Sequence, residues 1–331
     1  MKFKRWRLSA AHPVVNASVA LTLTFVLSAC GNSDDAAPSQ PASDRSETAA
    51  AAPQNELRAV WSTRPLDRDV RDIALSDGTG AMLAVSFEGS GLQMFNLEAE
   101  RISEIAPYSI RALADGQPAT IDGADVTIFP GVNDMGELNA YVYGDGLVAP
   151  VALPLPIETS AGVLGLCSTP TGDAESIMRL AFWTMASPER LTVGTLSTQD
   201  QEFVWTPADP EQQTTPIGAC AFEDGRLRVS DTAARASALF ERNGTSALLT
   251  LDEDGALLAA QDGADAQEYS IRDGITITAP DAPVALAALG TAVAGGYPGG
   301  LIVIAGETTG GEHQAVFVDG GGLLSDRNAA D

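Results

Sequence analysis

The side chains that most often carry out catalysis are scarce in this chain of 331 residues. Lysine occurs only as Lys2 and Lys4, and histidine only as His12 and His313. Ser-His-Asp catalysis, histidine phosphotransfer and histidine-rich zinc sites need residue types that are nearly absent, so the composition disfavours all three. The abundant reactive groups are the 44 Asp and Glu residues, whose oxygens suit a hard cation such as Ca²⁺.

The first of the three cysteines, Cys30, ends a segment with the features of a secretion signal. A basic head at residues 2–7 precedes an apolar run at about residues 14–26, which is too short to span a bilayer. The ending Leu27-Ser28-Ala29-Cys30 is similar to a bacterial lipobox, in which the cysteine is diacylated and becomes the new N-terminus. Residue 31 is Gly and not the Asp that would keep a lipoprotein out of the outer membrane, so the outer membrane is the expected location. The alternative is an ordinary secreted protein cleaved near Ala29.

The other two cysteines, Cys167 and Cys220, form an even pair in a chain expected to reach an oxidising compartment. Disulfides form and persist in such compartments. The sequence therefore predicts a disulfide between them, with two buried thiols as the alternative.

Without residues 1–30 the chain is strongly acidic. That segment holds four of the 19 Lys and Arg residues and none of the 44 Asp and Glu residues, which leaves 15 basic and 44 acidic residues. The resulting formal charge of −29 disfavours nucleic acids and anionic lipid headgroups as partners.

Composition divides the rest of the chain into a tether, a folded part and a tail. Residues 31–56 are rich in Ala, Ser, Pro and Asp without apolar periodicity, which predicts a disordered tether. From residue 57 to about 320, short apolar runs are separated by turn sequences such as Glu223-Asp224-Gly225. Strand-length runs with turn signals at this spacing predict an all-β fold. Residues 321–331 are predicted to be a C-terminal tail.

Two similar segments indicate an internal repeat. Val163–Cys167 and Pro216–Phe222 each carry a cysteine and each precede a turn and a further strand. A period of about 40–50 residues with four short strands per unit is typical of a β-propeller, in which a Cys167–Cys220 bridge would join adjacent blades. About six units are expected, at roughly 58–106, 108–156, 160–207, 215–250, 251–278 and 283–319. The fifth is the shortest and reads as truncated, so five blades are an alternative, as is a pair of β-sandwiches.

Four stretches, in the same order along the chain, resemble motifs of the β-propeller phytases. They are Leu83–Glu98, then Leu164–Cys167 with Leu180–Phe182, then Ile217–Glu223 with Gly225–Leu227, and last Tyr297–Leu301 with Glu312–Gln314. Together they span most of residues 58–319 and include both cysteines. The phytases of this family are Ca²⁺-dependent phosphatases of myo-inositol hexakisphosphate. The resemblance implies a propeller, bound calcium and a phosphomonoester hydrolase of the 3-phytase type.

The resemblance also implies two groups of site residues. Carboxylates would hold Ca²⁺, which activates water and neutralises phosphate charge, and basic side chains with a tyrosine would hold the outer phosphates. The implied calcium ligands are Asp72, Asp125, Asp231 and Asp273, and the implied substrate-binding residues are Tyr143, Arg71, Arg179 and Arg272, with Arg226 a further basic candidate. No catalytic residue is assigned. The chain differs from the family at phosphate-binding positions: Phe87, Glu88 and Gly89 replace the lysines that bind phosphate in the phytases.

The sequence therefore predicts a phytase-like propeller of the cell envelope, lipid-anchored to the outer membrane through Cys30 and lying in the periplasm or at the cell surface. Because the lysines are missing, the sequence leaves two alternatives open, an active phosphatase and a degenerate site. The alternative is a non-catalytic propeller that captures inositol phosphates, assists a transporter or partner enzyme at the outer membrane, or serves only as an interaction scaffold.

Overall fold

The computed structural model describes residues 55–78, 80–121, 123–173, 176–200, 202–232, 234–261, 265–291 and 296–324. The predicted signal peptide, the lipid anchor at Cys30, nearly all of the tether and most of the C-terminal tail lie outside these residues and stay predictions. The described residues form 23 strands and a single 3₁₀ turn at Gly320–Gly322. No helix in this part of the chain is long and apolar enough to cross a membrane.

The strands are short, and most are joined to the next by a hairpin. In chain order they are β1 Glu56–Ser62, β2 Val70–Leu75, β3 Met82–Phe87, β4 Leu92–Asn96, β5 Ile110–Leu113, β6 Gln117–Ile121, β7 Ala124–Asn133, β8 Leu138–Gly144, β9 Val151–Pro154, β10 Val163–Pro170, β11 Ser176–Thr184, β12 Ser187–Gln199, β13 Glu202–Pro207, β14 Glu211–Gln212, β15 Ala219–Glu223, β16 Arg226–Ser230, β17 Ala236–Arg242, β18 Thr245–Leu251, β19 Leu257–Ala260, β20 Gln267–Arg272, β21 Ala282–Leu289, β22 Leu301–Glu307 and β23 His313–Asp319.

Two of the tightest hairpins follow directly from their turn residues. Asp224 and Gly225 have φ values of 47° and 71°, and Asn243 and Gly244 have φ values of 52° and 74°. Two consecutive positive φ angles define the turn whose twist matches paired strands, and Asp-Gly and Asn-Gly tolerate them best. The hairpin tip predicted at Asp224-Gly225 is confirmed, since β15 ends before it and β16 begins after it.

The strands assemble into a six-bladed propeller. Strands β2, β5, β10, β15, β17 and β21 each contact the next in that order, and β21 contacts β2, so these six inner strands form a closed ring. We number the blades from them: blade 1 is β2–β4, blade 2 is β5–β9, blade 3 is β10–β14, blade 4 is β15–β16, blade 5 is β17–β20, and blade 6 is β21–β23 with β1. The predicted all-β propeller is confirmed.

The first strand closes the ring. Strand β1 pairs antiparallel with β23 through Ala59–Ser62, which makes it the outermost strand of blade 6. Its first residues, Glu56–Arg58, pair parallel with β20 of blade 5. The chain therefore begins its fold in the same blade in which it ends. The prediction that the first unit begins at residue 58 was wrong, because the strand at Glu56–Ser62 belongs to blade 6.

The short blade is the fourth, not the fifth. Residues 251–278, predicted to be truncated, contribute β19 and β20 to a complete four-stranded blade that starts at β17. Among the described residues, blade 4 contains only β15 and β16. The two hairpins β15–β16 and β17–β18 follow each other with similar patterns, so the sequence gives no sign that a new blade begins between them. Only the contact of β17 with the neighbouring inner strands reveals the boundary.

The apolar core lies between blades. Phe87 and Phe317 are fully buried in the cluster shared by blades 1 and 6, and Phe240 is fully buried with Ile302 between blades 5 and 6. Between blades 3 and 4 the packing includes a covalent link: Cys167 on β10 and Cys220 on β15 form a disulfide with a Cα–Cα distance of 5.8 Å. The predicted disulfide between adjacent blades is confirmed.

Candidate functional site

The inner strands surround a cavity of about 790 Å³, and residues from all six blades form its wall. Cavities of roughly 300–1,000 Å³ are typical of sites for small molecules. Four carboxylate side chains belong to the wall: Asp72, Asp77, Asp115 and Glu241. The cavity is therefore an acidic site at the centre of an acidic molecule.

Two of these carboxylates tie the inner strands of blades 1 and 2 to each other. Asp72 accepts hydrogen bonds from the backbone N–H groups of Ile73, at 2.9 Å, and of Leu113 in the next blade, at 2.7 Å. Asp115 accepts one from the backbone N–H of Leu75, at 3.3 Å, in the opposite direction. Each carboxylate thus satisfies a backbone donor of the other blade while lining the cavity.

Burial raises the pKa of Asp72 and of Asp115 to about 7 each. Removal from water disfavours the charged form more strongly than the backbone hydrogen bonds favour it. The negative charge of Asp115 raises the pKa of Asp72 further, and the nearby Arg71 lowers it by less. Both residues keep partial contact with the cavity, so their carboxyls can exchange protons with solvent as the pH passes through neutral.

The positive charges at the wall are already engaged with the backbone. Arg235 donates to the carbonyl oxygens of Pro283, at 3.1 Å, and Glu253, at 3.0 Å. Arg242 donates to the carbonyl oxygen of Gly299, at 3.1 Å. The carbonyl acceptors are neutral, so both guanidinium groups keep their positive charge, and the wall carries two basic groups against four carboxyl groups.

His313, whose imidazole could act as a base, is committed to structure. Its Nδ1 accepts a hydrogen bond from the backbone N–H of Val70, at 3.1 Å, and its Nε2 lies 3.3 Å from a carboxylate oxygen of Asp69. Both ring nitrogens are therefore occupied at the junction of blades 6 and 1. The site offers carboxylates for binding, and this histidine is not placed to activate a nucleophile.

The four predicted calcium ligands lie on four different blades. Asp72 lines the cavity, whereas Asp125 accepts a hydrogen bond from a threonine hydroxyl of its own β6–β7 hairpin, at 3.0 Å. Asp231 is exposed after β16, and Asp273 accepts a hydrogen bond from the backbone N–H of Ala279, at 2.8 Å. Among the described residues no three His, Cys, Asp or Glu side chains are grouped so as to hold an ion. Calcium binding stays a prediction from the resemblance.

Two of the predicted substrate-binding arginines form ion pairs. Arg71 lies 2.6 Å from Asp134, which links blade 1 to the β7–β8 turn of blade 2. Arg272 lies 2.9 Å from Glu56, beside the parallel pairing of β20 with β1. Each arginine thus joins two neighbouring elements, and neither side chain belongs to the cavity wall.

The other two predicted substrate-binding residues also bridge blades. The hydroxyl of Tyr143 donates to the carbonyl oxygen of Ile102, and only 8% of Tyr143 is exposed. The guanidinium carbon of Arg179 lies 5.1 Å from the ring centre of Phe222, and the same group donates to the carbonyl oxygen of Gly225. The structure therefore gives both side chains a role in packing between blades.

Asp115 is the functional residue that the sequence interpretation missed. Strands β2 and β5 begin alike, with Val70-Arg71 and Ile110-Arg111, and each strand is followed closely by an Asp-Gly pair. Aligning the two units on these residues would have placed Asp115 just after the inner strand of blade 2, in the position that Asp77 has in blade 1, and both residues line the cavity. That repeat is the signal that was available.

Comparison with known proteins supports the fold. No protein family matches the chain, and no curated protein matches it. A mutant of AofleA from Arthrobotrys oligospora has a similar structure, with a TM-score of 0.50 and 8% identity over 80% of this chain and 84% of that one. Two more distant structures are a six-bladed fucose-recognising lectin from Aleuria aurantia (TM-score 0.45, 12% identity, 76% and 92% covered) and the WD40 domain of SCAP from fission yeast (0.33, 12%, 81% and 53%). At these identities the likeness concerns the propeller fold alone, and the phytase resemblance is borne out only to that extent.

Proposed function

We propose that this chain is a non-catalytic binding propeller that holds a small, positively charged ligand, of the amine class, in its central cavity. The observation that carries the proposal is the pair Asp72 and Asp115 on the wall of a cavity of about 790 Å³. Each carboxyl has a pKa of about 7, so the pair gains negative charge as the pH rises through neutral. An ammonium group would supply the charge-assisted hydrogen bonds that burial denies them.

The same wall disfavours a phosphate ester. Four carboxyl groups line the cavity against two arginines, whose N–H groups already donate to backbone carbonyls. A strongly anionic inositol phosphate would meet charges of its own sign, unless bound cations reversed the local field. Hydrolysis of such an ester is therefore not part of the proposal, and Ca²⁺ enters only as a test condition.

The cellular setting is proposed from the sequence. The ending Leu27-Ser28-Ala29-Cys30 supports a lipid anchor at Cys30 in the outer membrane, with the propeller in the periplasm or at the cell surface. At either place the cavity would meet small solutes.

Calorimetric titration of the purified protein with 1,4-diaminobutane tests the proposal. We expect saturable binding at pH 8 that weakens steadily below pH 7, as the pair becomes protonated. The substitution Asp115→Asn keeps an oxygen that can accept from Leu75 and removes one charge, so it should weaken binding roughly tenfold or more. Asp125→Asn, on an exposed hairpin, is the matched control and should bind like the native protein.

Two further probes define the outcomes that contradict the proposal. Neutral myo-inositol should not bind, and myo-inositol hexakisphosphate should neither bind nor release phosphate, with or without millimolar Ca²⁺. Ca²⁺-dependent release of phosphate would establish the enzyme instead. If the native protein and Asp115→Asn bind the diamine with equal affinity, the diamine does not bind at Asp115, and the proposed site in the cavity is wrong.

A further inference from the structure

Blade 4 ends after its second strand, and the outer edge of that strand is unpaired among the described residues. Strand β16 pairs only with β15. In every other blade the second strand is flanked on its far side by a third, for example β18 by β19 and β22 by β23. The backbone N–H and C=O groups on the outer side of β16 therefore have no partner strand, which makes it a template for an added strand.

Of the devices that usually prevent pairing at an edge, β16 has its short length and the charged side chains of Arg226 and Arg228, and it lacks proline and bulges. Residues 226–230 contain no proline, and their pairing with β15 is continuous from Ala219↔Ser230 to Glu223↔Arg226, without a bulge. Natural edge strands are commonly protected by proline, bulges or a covering segment. A regular strand of this kind can accept a second one along its full length.

The hairpin that carries the edge is held rigidly. The Cys167–Cys220 disulfide fastens β15 to blade 3, and Arg179 donates to the carbonyl oxygen of Gly225 in the hairpin turn. The backbone N–H of Ile217 donates to the carbonyl oxygen of Pro188, also in blade 3, at 2.9 Å. Less conformational freedom is then lost when a partner binds, because the strand is already fixed.

The two faces of β16 define what the added strand must carry. Leu227 and Val229 pack, half-buried, against the apolar cluster between blades 3 and 4. Arg226 and Arg228 lie on the other face, but Arg228 is engaged within the protein: it donates to the carbonyl oxygen of Ala260 in blade 5, at 2.8 Å, and forms an ion pair with Glu223, at 3.3 Å. Arg226 is exposed. Since side chains alternate along a strand, a matching segment alternates apolar residues with carboxylates.

We propose that blade 4 is a docking site for an extended segment of a partner protein, with alternating apolar and acidic residues, that pairs with the outer edge of β16. This site is separate from the central cavity and does not depend on the ligand proposed there. A second copy of this chain or a segment of its own terminus would be a different occupant, and the experiment separates these cases.

The probe is an acetylated eight-residue peptide of alternating Val and Glu that carries a fluorescent dye. Purified protein is titrated into it, and the fluorescence anisotropy of the dye is measured. We expect binding, together with slower hydrogen exchange at the amides of β16. A peptide methylated at alternate backbone nitrogens should not bind, because it cannot pair. Arg226→Glu should weaken binding of the Val/Glu peptide roughly fivefold and strengthen binding of a Val/Lys peptide. Arg58→Glu, at an exposed position on β1, should change neither.

Several results would overturn the proposal. One is failure of the Val/Glu peptide to bind at millimolar concentration, and another is equal binding of the methylated peptide. Protection of the β16 amides without peptide would assign the edge to another occupant: a second copy if the protection rises with protein concentration, and the chain's own terminus if it does not. Diamine binding in the central cavity is measured separately, so failure of the docking proposal can be distinguished from failure of the proposal for the cavity.

Discussion

Asp72 and Asp115 couple the stability of the ring to pH. Both carboxyls have an ordinary pKa of 3.8 when exposed, and burial raises it to about 7 in the folded protein. Between these two values the native state binds more protons than the unfolded chain. The free energy of unfolding therefore contains a contribution that is fully present below about pH 4 and is lost as the pH rises through 7.

We expect the native protein to melt several degrees lower at pH 8 than at pH 5, and the substitution Asp115→Asn to flatten this dependence. The amide cannot ionise, so the cost of a buried charge disappears above pH 7, while an oxygen remains for the hydrogen bond from Leu75. Thermal unfolding followed by circular dichroism across this pH range gives the slope. Asp125→Asn controls for the loss of one negative charge at an exposed site. If the slope of Asp115→Asn equals that of the native protein, Asp115 is not the titrating group.

Residue types were easier to predict than residue positions. Asp72 was singled out by the phytase resemblance, and it does line the cavity. The resemblance also selected Arg71, Arg179 and Tyr143, which the structure uses as contacts between blades. Whether a polar side chain faces the cavity or a neighbouring blade depends on strand register, and one sequence does not fix the register between units.

Blade 4 shows how a short element is retained in a larger fold. An isolated two-stranded hairpin is marginally stable at best in water. Here the hairpin β15–β16 is fastened to blade 3 by the disulfide and by Phe222, which packs under Arg179. The even pair of cysteines was sufficient to predict the bond. The missing strands were not predictable, because neighbouring hairpins have the same turn chemistry and apolar pattern.

Removing the disulfide should destabilise the protein by about 4 kcal/mol, the chain-entropy value for a bridge between residues 53 positions apart. We expect the double substitution Cys167→Ala and Cys220→Ala to lower the free energy of unfolding in urea by about this amount. In this variant the hairpin has lost its covalent link to blade 3, so the amides of blade 4 should exchange hydrogen faster than those of blade 6. Equal stability with and without the bridge, in native protein treated with reductant, would show that packing alone holds the hairpin.

At the scale of the whole molecule, the ring is closed without a covalent link. The first strand of the described fold is β1 and the last is β23, and the antiparallel pairing of these two strands within blade 6 closes the ring. The number of units and the all-β class were predictable from turn spacing and apolar runs. The closure was not, because it pairs Ala59 with Val318, two residues separated by nearly the whole fold.

Closure depends on a small buried surface of β1, and a charge placed there should open the ring. Ala59 is 3% exposed and lies in the cluster between blades 5 and 6, so Ala59→Asp would bury an unpaired carboxylate. We expect a loss of roughly 3–5 kcal/mol in urea unfolding, or failure to fold. Val60, the next residue, is 42% exposed, and Val60→Asp should change stability by less than about 0.5 kcal/mol. Limited proteolysis within blade 6 should accelerate for the first variant alone. If both variants unfold like the native protein, β1 does not hold the ring closed, and the remaining strands of blades 5 and 6 close it by their own packing.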